Sequence, residues 1–179
     1  MHKIVKIFGI VFLVTLLSFF FHELFHWVAY ELLGYKAGFS LNYAAVKDKE
    51  LILSYGEKLV SSAAGPIFTI LQAVICYYLL KSKDSIVLYI IMFAAFVQRL
   101  MAGIFNIFQP NDEGRISLAL GLPLFTISTV VVCFLFYLVY KTSKEKKYTV
   151  KDNALFFIYS IVAITTIVFV DNQFTIQFV

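Results

Sequence analysis

The stretch FFFHELFHWVAYELLGYKAG, residues 19 to 38, places ionisable side chains in one of the most apolar parts of the chain. His22 directly follows three phenylalanines, and Glu23 and His26 lie within the next four residues. An ionisable side chain inside a membrane span is costly, and its default interpretation is a functional site. The surrounding sequence decides whether this stretch lies in such a span.

The composition is that of a membrane protein. Of the 179 residues, 61% are hydrophobic and 15% are charged, whereas a soluble domain has about 25% charged residues. Crossing the hydrocarbon takes about 20 apolar residues. The apolar runs therefore predict five transmembrane helices, the last the shortest, at residues 7–30, 59–80, 86–108, 122–140 and 154–170.

We accordingly predict an all-α polytopic membrane protein with a single membrane-embedded domain over residues 1–179. It would be a multi-pass protein of the lipid bilayer, in the cell membrane if the source is bacterial. The net charge of +4 is spread over the loops, which is typical of membrane topology and not of nucleic-acid binding.

The polar segment between the first two spans predicts a small β-hairpin. Residues 34–58 contain KDKE at 47–50 as a turn, flanked by the β-prone stretches SLNYAAV and LILSY. Residues 109–117, QPNDEGRIS, read as a loop.

HELFH matches the HExxH pattern, in which two histidines can bind one metal ion. Positions i and i+4 share one face of a helix, so His22 and His26 can offer two imidazoles to one zinc ion, with Glu23 beside it as general base. The structural alternative is a pair of histidines that hydrogen-bond to neighbouring helices.

Catalytic zinc takes three protein ligands and leaves one position for water. The acids near the spans are candidates for the third: Glu31, Asp112, Glu113 and Asp171. Because two spans separate HELFH from the end of the third span, Asp112 and Glu113 lie on the same membrane side as HELFH. The segment AAGP, residues 63–66, opens the second span on that side too.

Three motifs resemble the site-2 protease family, the intramembrane zinc metalloproteases. HELFHWVAYELLG is similar to the family's HELGHxxxAxxxG signature, SAAGPIF to its AGP motif, and FNIFQPNDEGRI to its FN…P…LDGGR motif. The resemblance spans roughly residues 19–120 and indicates a small form without a PDZ domain.

The resemblance implies a role for each matching residue. One zinc ion per chain would have three ligands: His22, His26 and Asp112. Glu23 becomes the general base, and Asn106 matches an asparagine that holds the substrate backbone. Gly65 and Pro66 match the AGP motif, which packs by the active site. Residues 34–58 fall where the family has a β-hairpin, whose edge could accept an unfolded substrate strand.

The chain departs from the family pattern at two places. Phe25 replaces the glycine of HELGH, which predicts a bulky ring next to the site. The third motif is two residues shorter and reads NDEGR, so Glu113 competes with Asp112 as the third ligand; matching Gly114 and Arg115 favours Asp112.

Arg99 is the only basic residue within a predicted span. It predicts an interhelical ion pair or a hydrogen bond to backbone carbonyls, or else a counter-ion near the site for Glu31. Direct chemistry is not expected, because Arg99 precedes Asp112 by about 13 residues, a long way along a helix at ~1.5 Å per residue.

These features predict an intramembrane zinc metalloendopeptidase that hydrolyses peptide bonds of membrane-bound protein or peptide substrates. The alternative is a catalytically inactive relative that serves as a membrane scaffold or regulator. A transporter would show paired broken spans, which the sequence lacks, and a di-iron oxygenase would need more histidines. The lysine distribution places the site towards the outside, whereas many relatives have the zinc nearer the cytosol, so the orientation stays open.

Overall fold

The computed structural model describes residues 2–48, 50–174 and 177–178. In chain order its elements are α1 (His2–Leu32), β1 (Ala37–Phe39), β2 (Ala44–Val46), α2 (Tyr55–Ser82), α3 (Ile86–Phe105), α4 (Asp112–Ala119), α5 (Thr126–Glu145) and α6 (Val150–Phe174). Five of these helices, α1 from Ile4 onward, α2, α3, α5 and α6, are long and apolar enough to cross a membrane. The predicted fold class, with its five spans and a small hairpin between the first two, is confirmed.

Two helices, α2 and α6, begin before the apolar runs of the sequence, because polar residues cap their N-termini. At the start of α2, Glu57 N donates to Ser54 Oγ and Ser54 N donates to Glu57 Oε2, which is a capping box. At the start of α6, Thr149 N donates to Asp152 Oδ2, and Asp152 N donates to Thr149 Oγ1. The last span is therefore a helix of 25 residues and not the shortest.

Helix α3 lies at the centre of the bundle. Every residue from 92 to 99 is buried, and α3 packs against α1, α2, α5 and α6. Because α3 is enclosed on all sides, a charged side chain on it must find its partners inside the protein. Arg99 is such a charged side chain on α3.

The hairpin lies earlier in the chain than predicted. Strands β1 and β2 pair antiparallel with Phe39 opposite Ala44, so residues 40–43 form the loop. Residue 49 lies outside the described residues, but no strand follows KDKE, because 51–54 are irregular and lead into the Ser54 cap of α2. The prediction of KDKE as the hairpin turn was wrong.

An acid from α6 holds the hairpin loop. Asp171 accepts hydrogen bonds from Ser40 Oγ (2.7 Å), Leu41 N (3.2 Å) and Asn42 N (3.2 Å). A carboxylate that accepts several donors at once stabilises a polar loop that water would otherwise have to solvate. The end of α6 thereby fixes the hairpin on the side of the bundle that carries the HELFH motif.

The chain folds back after α3. This helix ends at Phe105 and not at 108, and the segment predicted as a loop at 109–117 becomes helical at Asp112. Asn106 fixes the reversal, because its Nδ2 donates to Ser128 Oγ (2.8 Å) and its Oδ1 accepts from Asn111 N (2.6 Å). The N-terminus of α4 therefore returns towards the middle of the bundle.

Candidate metal centre

Three side chains from two distant parts of the chain meet inside the bundle. The Nε2 atoms of His22 and His26 lie 3.2 Å apart. Asp112 Oδ2 lies 3.1 Å from His22 Nε2 and 3.4 Å from His26 Nε2. All three residues are buried, and together they form what we call the triad.

The spacing of the triad is compatible with a tetrahedral metal site of zinc dimensions. Zinc binds histidine nitrogen at about 2.0–2.1 Å, so two ligand atoms of a regular tetrahedron lie about 3.3–3.4 Å apart. The three atom pairs of the triad, at 3.1–3.4 Å, fall close to this distance. His22, His26 and Asp112 are the residues that would hold such an ion.

Helix α2 sets the tautomer of both imidazoles. His26 Nδ1 lies 2.6 Å from the carbonyl oxygen of Ser61, which can only accept, so Nδ1 carries the proton. His22 Nδ1 lies 3.0 Å from Thr69 Oγ1, whose own proton goes to the carbonyl of Gly65. Both Nε2 atoms therefore direct lone pairs into the triad, which is the form in which histidine binds a metal.

The triad thus brings one carboxylate oxygen and two imidazole nitrogens together, a set that could hold a metal ion. A carboxylate and two lone pairs within 3.4 Å of one another repel unless a positive charge compensates them, and this charge can come from a metal ion or from Arg99 and Arg115, which lie within 3.5 Å of Asp112. A single proton can bridge only one pair of these atoms, whereas a metal ion satisfies all three.

Gly65 makes room for the two rings. A Cβ atom at this position would lie 2.5 Å from His22 Cε1 and 2.6 Å from His22 Nε2, and it would also meet the ring of His26. Pro66 follows it within α2 and is buried. The segment that resembles the AGP motif therefore packs directly against the triad.

The two candidates for the third metal ligand, Asp112 and Glu113, have different partners in the structure. Asp112 joins the histidines, and its other oxygen accepts from Arg115 Nη2 at 2.6 Å. Glu113 instead accepts from Arg99 Nη1 at 3.2 Å and is 1% exposed. Among the described residues, Asp112 and not Glu113 completes a possible three-ligand set.

Arg99 lies in the site, contrary to the expectation that it would be far from Asp112. Its Nη1 is 3.5 Å from Asp112 Oδ2, and its Nη2 is 3.4 Å from His22 Nε2. The expectation was wrong because the reversal after Phe105 brings α4 back alongside α3. The suggested partner was wrong too, since Glu31 accepts from Ala37 N at 2.9 Å.

A cavity of about 620 Å³ opens beside the triad. The carboxylate of Glu23 lines it, is largely buried, and has no hydrogen-bond partner within the described part of the chain. Ile164, Val168 and Asn172 of α6 form part of one wall. A cavity lined by two histidines and this carboxylate can hold water and other polar groups.

Two predicted site residues take other positions. Phe25 is 40% exposed on the outer surface of α1 and stacks on Phe68 with ring centroids 4.6 Å apart, so the expectation of a bulky ring beside the site was wrong. Asn106 does not line the cavity, and both ends of its amide anchor the loop before Asp112. A substrate contact of Asn106 stays a prediction.

The hairpin borders the cavity with one free edge. On β1, Ala37 N donates to Glu31 and Phe39 O accepts from Phe178 N, so that edge is occupied. On β2, the register directs the backbone of Ala44 and Val46 outward, where it has no partner among the described residues. Ala44 also lines the cavity.

Ser61 and Thr69, which orient the two histidines, were not predicted from the sequence, whereas Gly65 between them was. Ser61, Gly65 and Thr69 recur every four residues, and all three are buried on one face of α2. Small and polar residues at this spacing on an apolar helix are the signal that could have indicated a helix serving the HELFH face.

Comparison of the chain with protein-family models, with curated proteins and with solved structures gives no match. The class of protein therefore rests on the fold and the site: a multi-pass membrane protein with a buried His–His–Asp group beside a cavity.

Proposed function

We propose that this protein is an intramembrane zinc metalloendopeptidase of the site-2 protease type. The observation that carries the proposal is the triad, whose three ligand atoms lie 3.1–3.4 Å apart, next to the buried carboxylate of Glu23, which has no hydrogen-bond partner among the described residues. His22, His26 and Asp112 would hold the metal. Bound there, zinc would acidify a water molecule and polarise a carbonyl oxygen.

In the proposed reaction, Glu23 transfers the proton. Glu23 takes a proton from the attacking water as the water oxygen bonds to the carbonyl carbon. The carbon–nitrogen bond then breaks, and Glu23 returns the proton to the departing amine. The cavity beside Glu23 and the absence of a hydrogen-bond partner within the described part of the chain leave this carboxylate free for both steps.

The free edge of β2 supports an extended peptide as substrate. A peptide strand added to β2 would hydrogen-bond to backbone groups of Ala44 and Val46 that have no partner among the described residues. Such a strand would run along the cavity. Peptide bonds in a membrane helix are shielded by their own hydrogen bonds, so strand addition would expose the bond to be cut. The substrate class is accordingly a membrane-bound protein or peptide.

The second candidate function is a metal-free scaffold. Arg99 and Arg115 both lie within 3.5 Å of Asp112 and can neutralise it without a metal. In that case one imidazole would hold a proton, and the buried charges would serve only to join α1, α3 and α4. This function predicts a folded protein that contains no metal.

Metal content and cleavage together separate the two functions. We would purify the wild type in detergent, measure bound zinc, and follow cleavage of fluorescent single-span peptides. Glu23→Gln should keep near one zinc per chain and lose cleavage. Glu31→Gln, at the end of the same helix, is the matched control and should retain both. Folded wild type without metal and without cleavage would establish the scaffold and exclude the protease.

A further inference from the structure

The guanidinium of Arg99 is the one positive charge on the central helix, and it borders the triad. The residue is 4% exposed, and its side chain lines the cavity. Nη1 lies 3.2 Å from Glu113 Oε1 and 3.5 Å from Asp112 Oδ2, while Nη2 lies 3.4 Å from His22 Nε2. Its side chain thus reaches from a fully buried acid to the atoms proposed to bind metal.

Glu113 pairs with the Arg99 guanidinium, but both side chains keep hydrogen-bonding atoms without a partner among the described residues. Only one Glu113 oxygen is paired, since Oε2 has no hydrogen-bond partner among the described residues, and the same holds for Arg99 Nε. An ion pair that served only to neutralise charge would satisfy its donors and acceptors more fully. The unpaired Nε is enclosed, so Nη1 and Nη2, which lie beside the triad, are the donors that a group in the cavity could reach.

Arg115 also contacts Asp112 but differs in its surroundings. Its side chain is 55% exposed, whereas the Arg99 side chain is 4% exposed. A charge screened by water acts weakly on a reacting group, and a charge fixed in a dry site acts strongly. Of the two arginines, Arg99 is therefore the one suited to stabilise a developing charge.

We propose that Arg99 stabilises the negative charge that forms on the substrate carbonyl oxygen during hydrolysis, with Glu113 as its positioning residue. The inference rests on the proposed protease function. As water adds to the carbonyl carbon, the π electron pair moves onto the oxygen and a proton passes to Glu23. The guanidinium donates to that oxygen. When the carbon–nitrogen bond breaks, the pair returns and Glu23 protonates the amine.

A double variant separates this role from a structural ion pair. Arg99→Gln alone would leave Glu113 buried and unpaired, so the informative protein is Arg99→Gln with Glu113→Gln, which removes both charges. It should fold and bind near one zinc per chain, yet cleave about 10²–10³-fold more slowly, the usual loss for an oxyanion donor. Arg99→Lys should lose less because it keeps the charge.

Inhibitor binding gives a readout that does not depend on turnover. A phosphinate peptide carries the tetrahedral geometry and negative charge of the transition state, so the double variant should bind it about 100-fold more weakly while binding an uncleaved peptide almost unchanged. Arg115→Gln serves for comparison and should weaken phosphinate binding less than Arg99→Lys.

The outcomes distinguish the two proposals. A zinc-containing wild type that cleaves, together with a double variant within threefold of it in cleavage and phosphinate affinity, would overturn the role of Arg99 and leave the protease standing. A wild type with no zinc and no cleavage would overturn both. If the double variant does not fold, Arg99→Lys decides, because undiminished cleavage and phosphinate binding in that variant would refute the inference.

Discussion

His26 Nδ1 lies 2.6 Å from the carbonyl oxygen of Ser61, so the backbone of α2 fixes the imidazole that α1 presents to the triad. Thr69, two turns further along α2, does the same for His22. The two helices therefore set both the position and the tautomer of the proposed ligands, and the site depends on their packing as much as on HELFH itself.

Removing the partner of His22 should weaken the site without abolishing it. Thr69→Val deletes the hydroxyl that accepts from His22 Nδ1 and keeps the side-chain shape. We expect zinc affinity to fall about 10–100-fold, the usual cost of losing such a partner. Competition with a zinc chelator measures it. Thr69→Ser retains the hydroxyl and should stay within a fewfold of wild type; equal affinity of the Val and Ser variants would refute the role.

The space at Gly65 should be essential. Gly65→Ala places a methyl group 2.6 Å from His22 Nε2, so the ring must move and the triad must open. We expect loss of stoichiometric zinc in a protein that remains folded. The control is Gly103→Ala, whose Cβ would meet its nearest neighbour, Ser128 Cβ, at an ordinary 3.5 Å. Normal zinc content in Gly65→Ala would show that the rings are not held as described.

Substitution of Asp112 and of its neighbour Glu113 should have different effects on zinc content. Asp112→Asn replaces the triad carboxylate with a poorer zinc ligand and should reduce zinc content to a small fraction of wild type. Glu113→Gln should keep the metal, because Glu113 faces Arg99. Elemental analysis of both purified proteins decides the question, and the reverse pattern would make Glu113 the third ligand.

Asp171 should control the hairpin and not the metal. Asp171→Asn has one acceptor oxygen where the carboxylate has two, so the three hydrogen bonds to residues 40–42 cannot all be kept. We expect faster hydrogen exchange over residues 38–46 and a higher KM for an extended peptide, with zinc content unchanged. Asp48→Asn, which alters an exposed loop acid, is the control. Unaltered exchange over the hairpin would contradict the role of Asp171.

The spans and the triad could be predicted because both depend on local patterns. Apolar runs of sufficient length indicate membrane helices, and HELFH places two imidazoles on one helix face whatever the rest of the chain does. Counting crossings then sufficed to bring Asp112 to the same membrane side. Counting crossings left Asp112 and Glu113 both open, and the resemblance favoured Asp112, which the structure places next to His22.

The parts that could not be predicted depend on chain reversals and distant partners. Arg99 lies beside Asp112 because an asparagine-anchored turn folds α4 back, which spacing along a straight helix does not show. The hairpin loop depends on Asp171 from the last helix. The outward direction of Phe25 follows from the packing of Phe68 on α2.

The central claim is a metal ion held by His22, His26 and Asp112, and zinc X-ray absorption spectroscopy on the purified protein tests it most directly. The predicted result is near one zinc per chain, with only nitrogen and oxygen neighbours at about 2.0–2.1 Å and the scattering pattern of two imidazoles. His26→Ala should lose that signal. A folded wild-type protein without zinc, or zinc with an unchanged spectrum in His26→Ala, would contradict the claim.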